Sequence, residues 1–140
     1  MERIPCEHSI KIEYSNLTIG DVTSRPQLYA AVEGDLLIIK DNELIFSENG
    51  VLLLELAKEF NKWLGNQQED FEYYSMDYED APILFFKEKT GSWSIGGVWF
   101  DGEYSEVKTS DIADACRKFI TDLLHDLSIK GIDVGFFYID

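Results

Sequence analysis

Apolar and polar positions alternate near the start of the chain, and this alternation predicts strands. Over 9–19, apolar residues such as Ile10 and Ile12 alternate with charged residues, which is the period of a half-buried strand. A polar connection follows over 20–26, and the apolar run at 28–32 predicts the start of a second strand. The pattern thus favours sheet in this part of the chain.

Turn residues join several of the predicted strands into hairpins. Asp41-Asn42 lies between two apolar runs, and both residue types tolerate the positive φ that a tight turn needs. Lys40 and Glu43 would face each other across this turn. Asp101-Gly102 predicts a second tight turn, of type I′. Apart from the first two, the predicted strands are 36–40, 43–46, 71–76, 83–89, 92–100, 103–107 and 132–139.

Two longer segments repeat their apolar residues at helical spacing. Helices are predicted over 50–64, ending at Gly65, and over 110–130, where Ser110 lies at the N-cap position. Strands that cluster in hairpins, instead of alternating with helices, favour an α+β fold. We expect one domain over 1–140, with a mostly antiparallel sheet of about six to eight strands and both helices packed on one face.

The chain carries a large excess of acidic residues. It has 27 Asp and Glu against 12 Lys and Arg, a formal net charge of −15, whereas small soluble domains commonly carry a magnitude of about 2–8. This balance argues against binding nucleic acid or anionic membranes, since both need clustered Lys and Arg. It favours a basic partner and fast, electrostatically steered association, although acidity also serves solubility alone.

The cysteines and the N-terminal residues predict a cytoplasmic protein. Cys6 and Cys116 are too few for a disulfide framework. The first eight residues are charged and contain a proline, so no signal peptide is expected. The longest apolar runs are too short to span a bilayer.

No group of residues has the spacing of a catalytic or metal site. Cys116 lies in the middle of the apolar stripe of the second helix and His125 on the opposite face, so they cannot form a dyad. The glycines at 91–97 precede a strand instead of a helix, which excludes a phosphate-binding loop. No calcium loop has the required spacing. We therefore expect a protein without enzymatic activity, cofactor or metal.

Residues 66–82, called the acidic segment below, hold six acidic residues and three tyrosines without a lysine or arginine. Such a surface suits a basic partner, because tyrosines supply contact area and carboxylates pair with Lys or Arg. The candidate binding residues are Asp70, Glu72, Tyr73, Tyr74, Asp77, Tyr78, Glu79 and Asp80. If the segment is extended, Tyr73 and Tyr74 point to opposite sides, so one of them serves the core. The alternative is a solvated acidic edge without a partner.

A second acidic patch lies at the Asp101-Gly102 turn, where Asp101, Glu103 and Glu106 border Tyr104. We include Asp101, Glu103 and Tyr104 in the candidate binding surface. The binding interpretation gains if the two patches share one face of the fold.

The acidic run 69–80, the aromatic hairpin 93–102 and the helix after it give the chain the character of a known class of inhibitor. In size, acidity and content of Tyr and Trp it resembles the small immunity proteins of bacterial polymorphic-toxin and contact-dependent inhibition systems. The resemblance implies a single α+β domain that binds a basic, nuclease-like toxin and occludes its active site. The resemblance assigns the chain to no particular immunity family and therefore implies no binding-site residues.

Two other functions fit the sequence. One is a small enzyme that uses surface carboxylates with a divalent metal. The other is a structural or homodimeric module joined through its sheet face. The sequence leaves the oligomeric state open.

Overall fold

Two antiparallel sheets and three helices make up the described part of the chain. The computed structural model describes residues 10–20, 25–74, 82–89, 92–97, 100, 104–135 and 137. The first sheet has the strand order β1 (Ile10–Ile19), β2 (Val32–Lys40), β3 (Glu43–Leu52). The second has the order β4 (Phe71–Tyr73), β5 (Leu84–Lys89), β6 (Ser92–Gly96), β7 (Tyr104–Val107). The helices are α1 (Arg25–Ala31), α2 (Leu53–Leu64) and α3 (Thr109–Ile129).

The predicted α+β class is confirmed, but the sheet is divided. The described strands form one sheet of three and one of four instead of a single sheet. The division follows from the position of α2, which begins directly after β3 and leads the chain away from the first sheet before β4. The prediction of two helices on one sheet face is wrong in detail, since α2 contacts both sheets and α1 is an additional helix.

The apolar run at 28–32 begins as a helix and not as the predicted strand. α1 ends at Ala31, and Val32 opens β2. A short apolar run does not decide between helix and strand by itself, and the two alanines, Ala30 and Ala31, favour helix. Leu28 and Val32 are both buried, so the run serves the core while changing from helix to strand.

The first predicted long helix begins later than expected. β3 continues through Asn49-Gly50 to Leu52, and α2 opens at Leu53. Gly50 has a φ of 67°, and the β2–β3 register shifts beside it. A glycine with positive φ at such a shift forms a bulge, which continues the strand instead of opening a helix.

The second predicted long helix is confirmed over nearly all of its length. α3 matches 110–130 closely, with Lys108 in place of Ser110 at the N-cap. The strand predicted at 132–139 does not form in those residues of the range that the structure describes. The Ile132 N–H instead donates to a carbonyl in the last turn of α3 at 3.0 Å, which closes the helix end.

The turn predicted at Asp41-Asn42 is confirmed. Its two residues have φ values of 53° and 70° and join β2 to β3. Lys40 and Glu43 face each other across the ladder, as expected. The Lys40 ammonium, however, pairs with the neighbouring Asp41 carboxylate at 2.9 Å. The turn predicted at Asp101-Gly102 lies outside the described residues.

The core is centred on the aromatic face of α2. Phe60 is fully buried, and its ring centroid lies 5.2 Å from that of Phe71 on β4 and 6.0 Å from that of Phe86 on β5. The Phe119 ring on α3 meets Phe60 edge-on at 5.4 Å. Trp63, one turn further along α2, packs edge-on against Phe86 at 5.5 Å. These contacts join α2 to the second sheet and to α3.

Further aromatic contacts join the first sheet to this core. The buried stripe of α3 includes Cys116 and Phe119, as its apolar pattern predicts. The Tyr14 ring on β1 packs edge-on against Phe119 at 5.7 Å. Phe46 on β3 stacks on Phe100, which lies between β6 and β7, at 4.6 Å. The first sheet therefore contacts α3 through Tyr14 and the connection between β6 and β7 through Phe46.

Replacing Phe60 with alanine should be one of the most destabilising changes in the core. The variant loses ring contacts to three elements and leaves a cavity, so we expect a loss of about 3–5 kcal/mol in the free energy of unfolding. Urea denaturation followed by tryptophan fluorescence measures the loss. Leu44→Ala is the control, because Leu44 is 54% exposed and should cost less than about 0.5 kcal/mol. Equal losses in the two variants would contradict the central position of Phe60.

Candidate functional site

The acidic segment starts at the end of α2 and is fixed there by Trp63. The helix ends at Gly65 as expected, but Gly65 is the C-cap residue in a right-handed conformation with a φ of −78°, not the C′ residue that the sequence predicts. The Trp63 indole N–H donates to the Glu69 carbonyl at 2.8 Å. Because Trp63 is buried and Glu69 is exposed, this hydrogen bond attaches the first carboxylate of the segment to the core.

β4 divides the acidic segment between core and solvent. Phe71 and Tyr73 are buried, whereas Glu72 and Tyr74 are exposed. This is the two-residue period of a strand with one face against the core. The expectation that Tyr73 and Tyr74 point to opposite sides is confirmed.

Tyr73 belongs to the core. It is 5% exposed, and its hydroxyl donates to the Glu55 carboxylate on α2 at 2.8 Å. Burial, the hydrogen bond to Glu55 and the nearby Glu59 carboxylate raise the pKa of Tyr73, so the phenol stays protonated as a donor. The ring is not accessible to a partner, and Tyr73 therefore leaves the candidate surface.

Glu72 and Tyr74 form the outward part of this edge. The Tyr74 side chain is 42% exposed, and its hydroxyl donates to Glu72 Oε1 at 3.3 Å. Partial burial and the Glu72 carboxylate raise the pKa of Tyr74, which keeps the hydroxyl protonated. The Lys87 ammonium on β5 lies 3.7 Å from Glu72 Oε2 and 4.6 Å from the centroid of the Phe85 ring. Glu72 thus meets a phenol and an ammonium on the outer face of the second sheet.

Asp70 precedes β4 and contacts β5. Its Oδ1 accepts the backbone N–H of Glu88 at 3.2 Å, which extends the pairing of the two strands by a side chain. Glu69 and Asp70 are both exposed. With Glu72 and Tyr74 they form a continuous exposed edge, which we call the acidic strip.

The start of the second acidic patch lies across the sheet from the acidic strip. Tyr104 is the first residue of β7 and pairs with Ile95 on β6. Ile95 in turn pairs with Phe86 on β5, and Phe86 pairs with Phe71 on β4. β4 and β7 are the two edges of this sheet, about 14 Å apart at about 4.8 Å per strand. The remaining candidates lie outside the described residues: Asp77, Tyr78, Glu79, Asp80, Asp101 and Glu103.

A second charged surface, which the sequence does not predict, lies between β1 and α3. A cleft of about 270 Å³ is lined by Ile12, Glu13, Tyr14, Phe119, Asp122, His125 and Asp126. The Tyr14 hydroxyl donates to Asp126, and Lys118 pairs with Asp122 at 2.6 Å. Burial and the Asp126 and Asp122 carboxylates raise the pKa of Tyr14. Two of the three carboxylates of the cleft are therefore engaged by the protein's own donors.

The cleft escapes sequence analysis because its walls are far apart in the chain. Tyr14 and Asp126 are separated by 112 positions. The helical period predicts that His125 faces solvent, and it is exposed, but the period does not reveal which strand lies beside it. The docking of α3 on β1 alone brings these residues together.

Cys116, which the sequence places in the apolar stripe of α3, lies in the core. Cys116 is buried, and burial raises the pKa of its thiol well above the usual range, so the sulfur stays protonated. Among the described side chains, no three of His, Cys, Asp and Glu converge as metal ligands would. No helix in the described ranges combines the length and apolarity needed to cross a membrane.

Comparison with known proteins gives a family but no activity. A family model described as a domain of unknown function (DUF7878) matches residues 9–129. No curated protein and no solved structure matches the chain significantly.

Tyr73→Phe should destabilise the fold, whereas Tyr74→Phe should not. Loss of the hydroxyl removes the hydrogen bond to Glu55 and is expected to cost about 1–2 kcal/mol in the free energy of unfolding. The matched change at the exposed Tyr74 should cost less than about 0.5 kcal/mol. Urea denaturation of both variants measures the difference. A larger loss for Tyr74→Phe would contradict the division of the two rings between core and surface.

Ionisation of Tyr73 should lower stability at high pH. In the unfolded chain tyrosine ionises with a pKa of about 10, whereas the folded protein raises the pKa of Tyr73. Stability is therefore intact below pH of about 10 and falls as the pH rises further, because the unfolded chain releases the proton first. Between pH of about 9 and 11, Tyr73→Phe should lose less free energy of unfolding than the wild type. A parallel decline of both proteins would contradict this.

Proposed function

We propose that this chain, which belongs to the DUF7878 family of domains of unknown function, is an acidic binding protein whose partner is a basic protein. The acidic strip carries the proposal. It presents the carboxylates of Glu69, Asp70 and Glu72 and the ring of Tyr74 on one exposed edge. Carboxylates together with an accessible tyrosine are what a surface rich in Lys and Arg would contact.

The net charge supports the same class of partner. A formal charge of −15 attracts a basic protein over distances beyond the contact itself and repels nucleic acid and anionic lipid. Steered encounters of this kind are fast at low ionic strength and slow as salt screens the field. The acidic strip then supplies the short-range contacts that hold the complex.

The proposed mechanism is inhibition by occlusion, as in the immunity proteins that the chain resembles. A basic nuclease-like toxin binds its substrate in a groove lined by Lys and Arg, because nucleic acid is polyanionic. The carboxylates of the acidic strip would take the place of phosphates in such a groove. Tyr74 would contribute buried area, since tyrosine adds much contact area at a low cost in conformational entropy.

Neutralising the acidic strip should weaken the proposed complex. The protein is immobilised at low salt, exposed to lysate of its native cells, and the retained proteins are identified by mass spectrometry. We expect a basic protein that salt releases. The triple variant Glu69→Gln, Asp70→Asn and Glu72→Gln should bind it about three- to 150-fold more weakly, because three exposed charge pairs contribute about 0.2–1 kcal/mol each. Asn at position 70 keeps an oxygen for the Glu88 N–H, so the fold is preserved.

A second triple variant provides a control with the same change in net charge. Glu33, Glu43 and Glu48 lie on β2 and β3 of the first sheet, and all three are changed to Gln. This control should reduce the association rate slightly and leave the dissociation rate unchanged. It weakens the long-range electrostatic attraction of the protein but leaves the proposed contact surface unaltered. Equal weakening by the two triples, or an association rate that does not depend on salt, would argue against the acidic strip as the contact surface.

A further inference from the structure

Glu72 holds an ammonium group that belongs to the protein itself. The Lys87 Nζ lies 3.7 Å from Glu72 Oε2 and 4.6 Å from the centre of the Phe85 ring. Glu72 on β4 and Phe85 on β5 are direct partners across the ladder, so the carboxylate and the ring face the same side of the sheet. A carboxylate beside the face of an aromatic ring is a suitable environment for a cation.

This pair differs from the other ion pairs of the described residues. Lys62–Glu59, Arg117–Asp114 and Lys118–Asp122 each join neighbours on one helix, and Lys40–Asp41 joins adjacent residues. The Lys87–Glu72 pair joins two strands and involves a ring as well. Its side chains are 38% and 42% exposed, so the ammonium can leave for solvent without crossing the core.

We infer that Glu72, Phe85 and Tyr74 form a cation site that binds a lysine side chain of the basic partner. In the free protein, Lys87 occupies this site. The inference rests on the proposed function and names the chemistry that the acidic strip would recognise. Exposed ion pairs favour the closed state by a factor of only about 1.5–5, so a partner lysine can displace Lys87 readily.

The geometry favours an ammonium over a guanidinium. Tyr74 donates to Glu72 Oε1 at 3.3 Å, so one of the two carboxylate oxygens is already engaged. A bidentate arginine needs both oxygens and would have to displace the tyrosine hydroxyl. A lysine is a point charge and needs only Oε2, which is the oxygen that faces Lys87.

Removing Lys87 should therefore strengthen binding of lysine. Lys87→Met keeps an unbranched side chain over Phe85 and removes the charge. The probe is a fluorescently labelled oligolysine peptide, and anisotropy at fixed low ionic strength gives Kd. We expect Lys87→Met to bind the peptide about two- to fivefold more tightly than the wild type, with a smaller gain for oligoarginine.

Lys62→Met is the matched control. Lys62 is an exposed lysine paired with a glutamate on α2, and its loss changes the net charge equally. A gain that is larger for Lys87→Met than for Lys62→Met, and that Glu72→Gln abolishes, supports the inference. Equal gains would overturn it while leaving the acidic binding function intact. If neither the wild type nor any variant binds oligolysine, the proposed function fails together with the inference.

Discussion

The packing of Phe60 against three neighbouring rings is the interaction on which the rest of the structure depends. Phe60 lies on α2 and contacts Phe71, Phe86 and Phe119, which belong to β4, β5 and α3. Among the described strands, none of the first sheet pairs with a strand of the second. Packing must therefore hold the two sheets together, and α2 packs against both. Each aromatic pair adds about 0.5–1.5 kcal/mol to the burial of apolar area, which makes α2 the central element.

The position of the acidic strip follows from the same helix. β4 is only three residues long and pairs with β5 alone among the described strands, so strand pairing fixes it weakly. Two hydrogen bonds with α2 add to that pairing: the Trp63 indole N–H of α2 donates to the Glu69 carbonyl, and the Tyr73 hydroxyl of β4 donates to the Glu55 carboxylate of α2. Because Phe71 and Tyr73 are held in the core, the residues that alternate with them, Glu72 and Tyr74, face solvent.

Local patterns predict most of the elements and the division of the acidic segment, and non-local packing accounts for what they miss. The period of two correctly predicts that Tyr73 and Tyr74 point to opposite sides, because alternation depends only on the strand itself, and the structure identifies Tyr73 as the buried one. Asp41-Asn42 is predictable for the same reason, since its conformation is set by two residues.

Features that depend on distant partners escape the sequence. The separation into two sheets depends on where α2 docks, and the cleft beside Tyr14 depends on α3, more than a hundred positions away. Gly97 is an example. A glycine in a predicted strand indicates that another group comes close to the backbone, but the sequence does not identify that group. In the structure it is the Ile83 carbonyl, whose oxygen would lie 2.0 Å from a Cβ added to Gly97.

The described charges are distributed unevenly, and their distribution bears on the proposal made for the acidic strip. On α2 and α3, Glu59, Asp114 and Asp122 each pair with a lysine or arginine one turn away, whereas along the acidic strip Lys87 pairs with Glu72 across two strands. Charges on an edge strand also protect a sheet from pairing with another chain, so protection alone would explain Glu69, Asp70 and Glu72. Protection does not explain Tyr74, because an exposed ring promotes association. The accessible tyrosine on this carboxylate edge therefore supports the proposed recognition of a basic partner over protection alone.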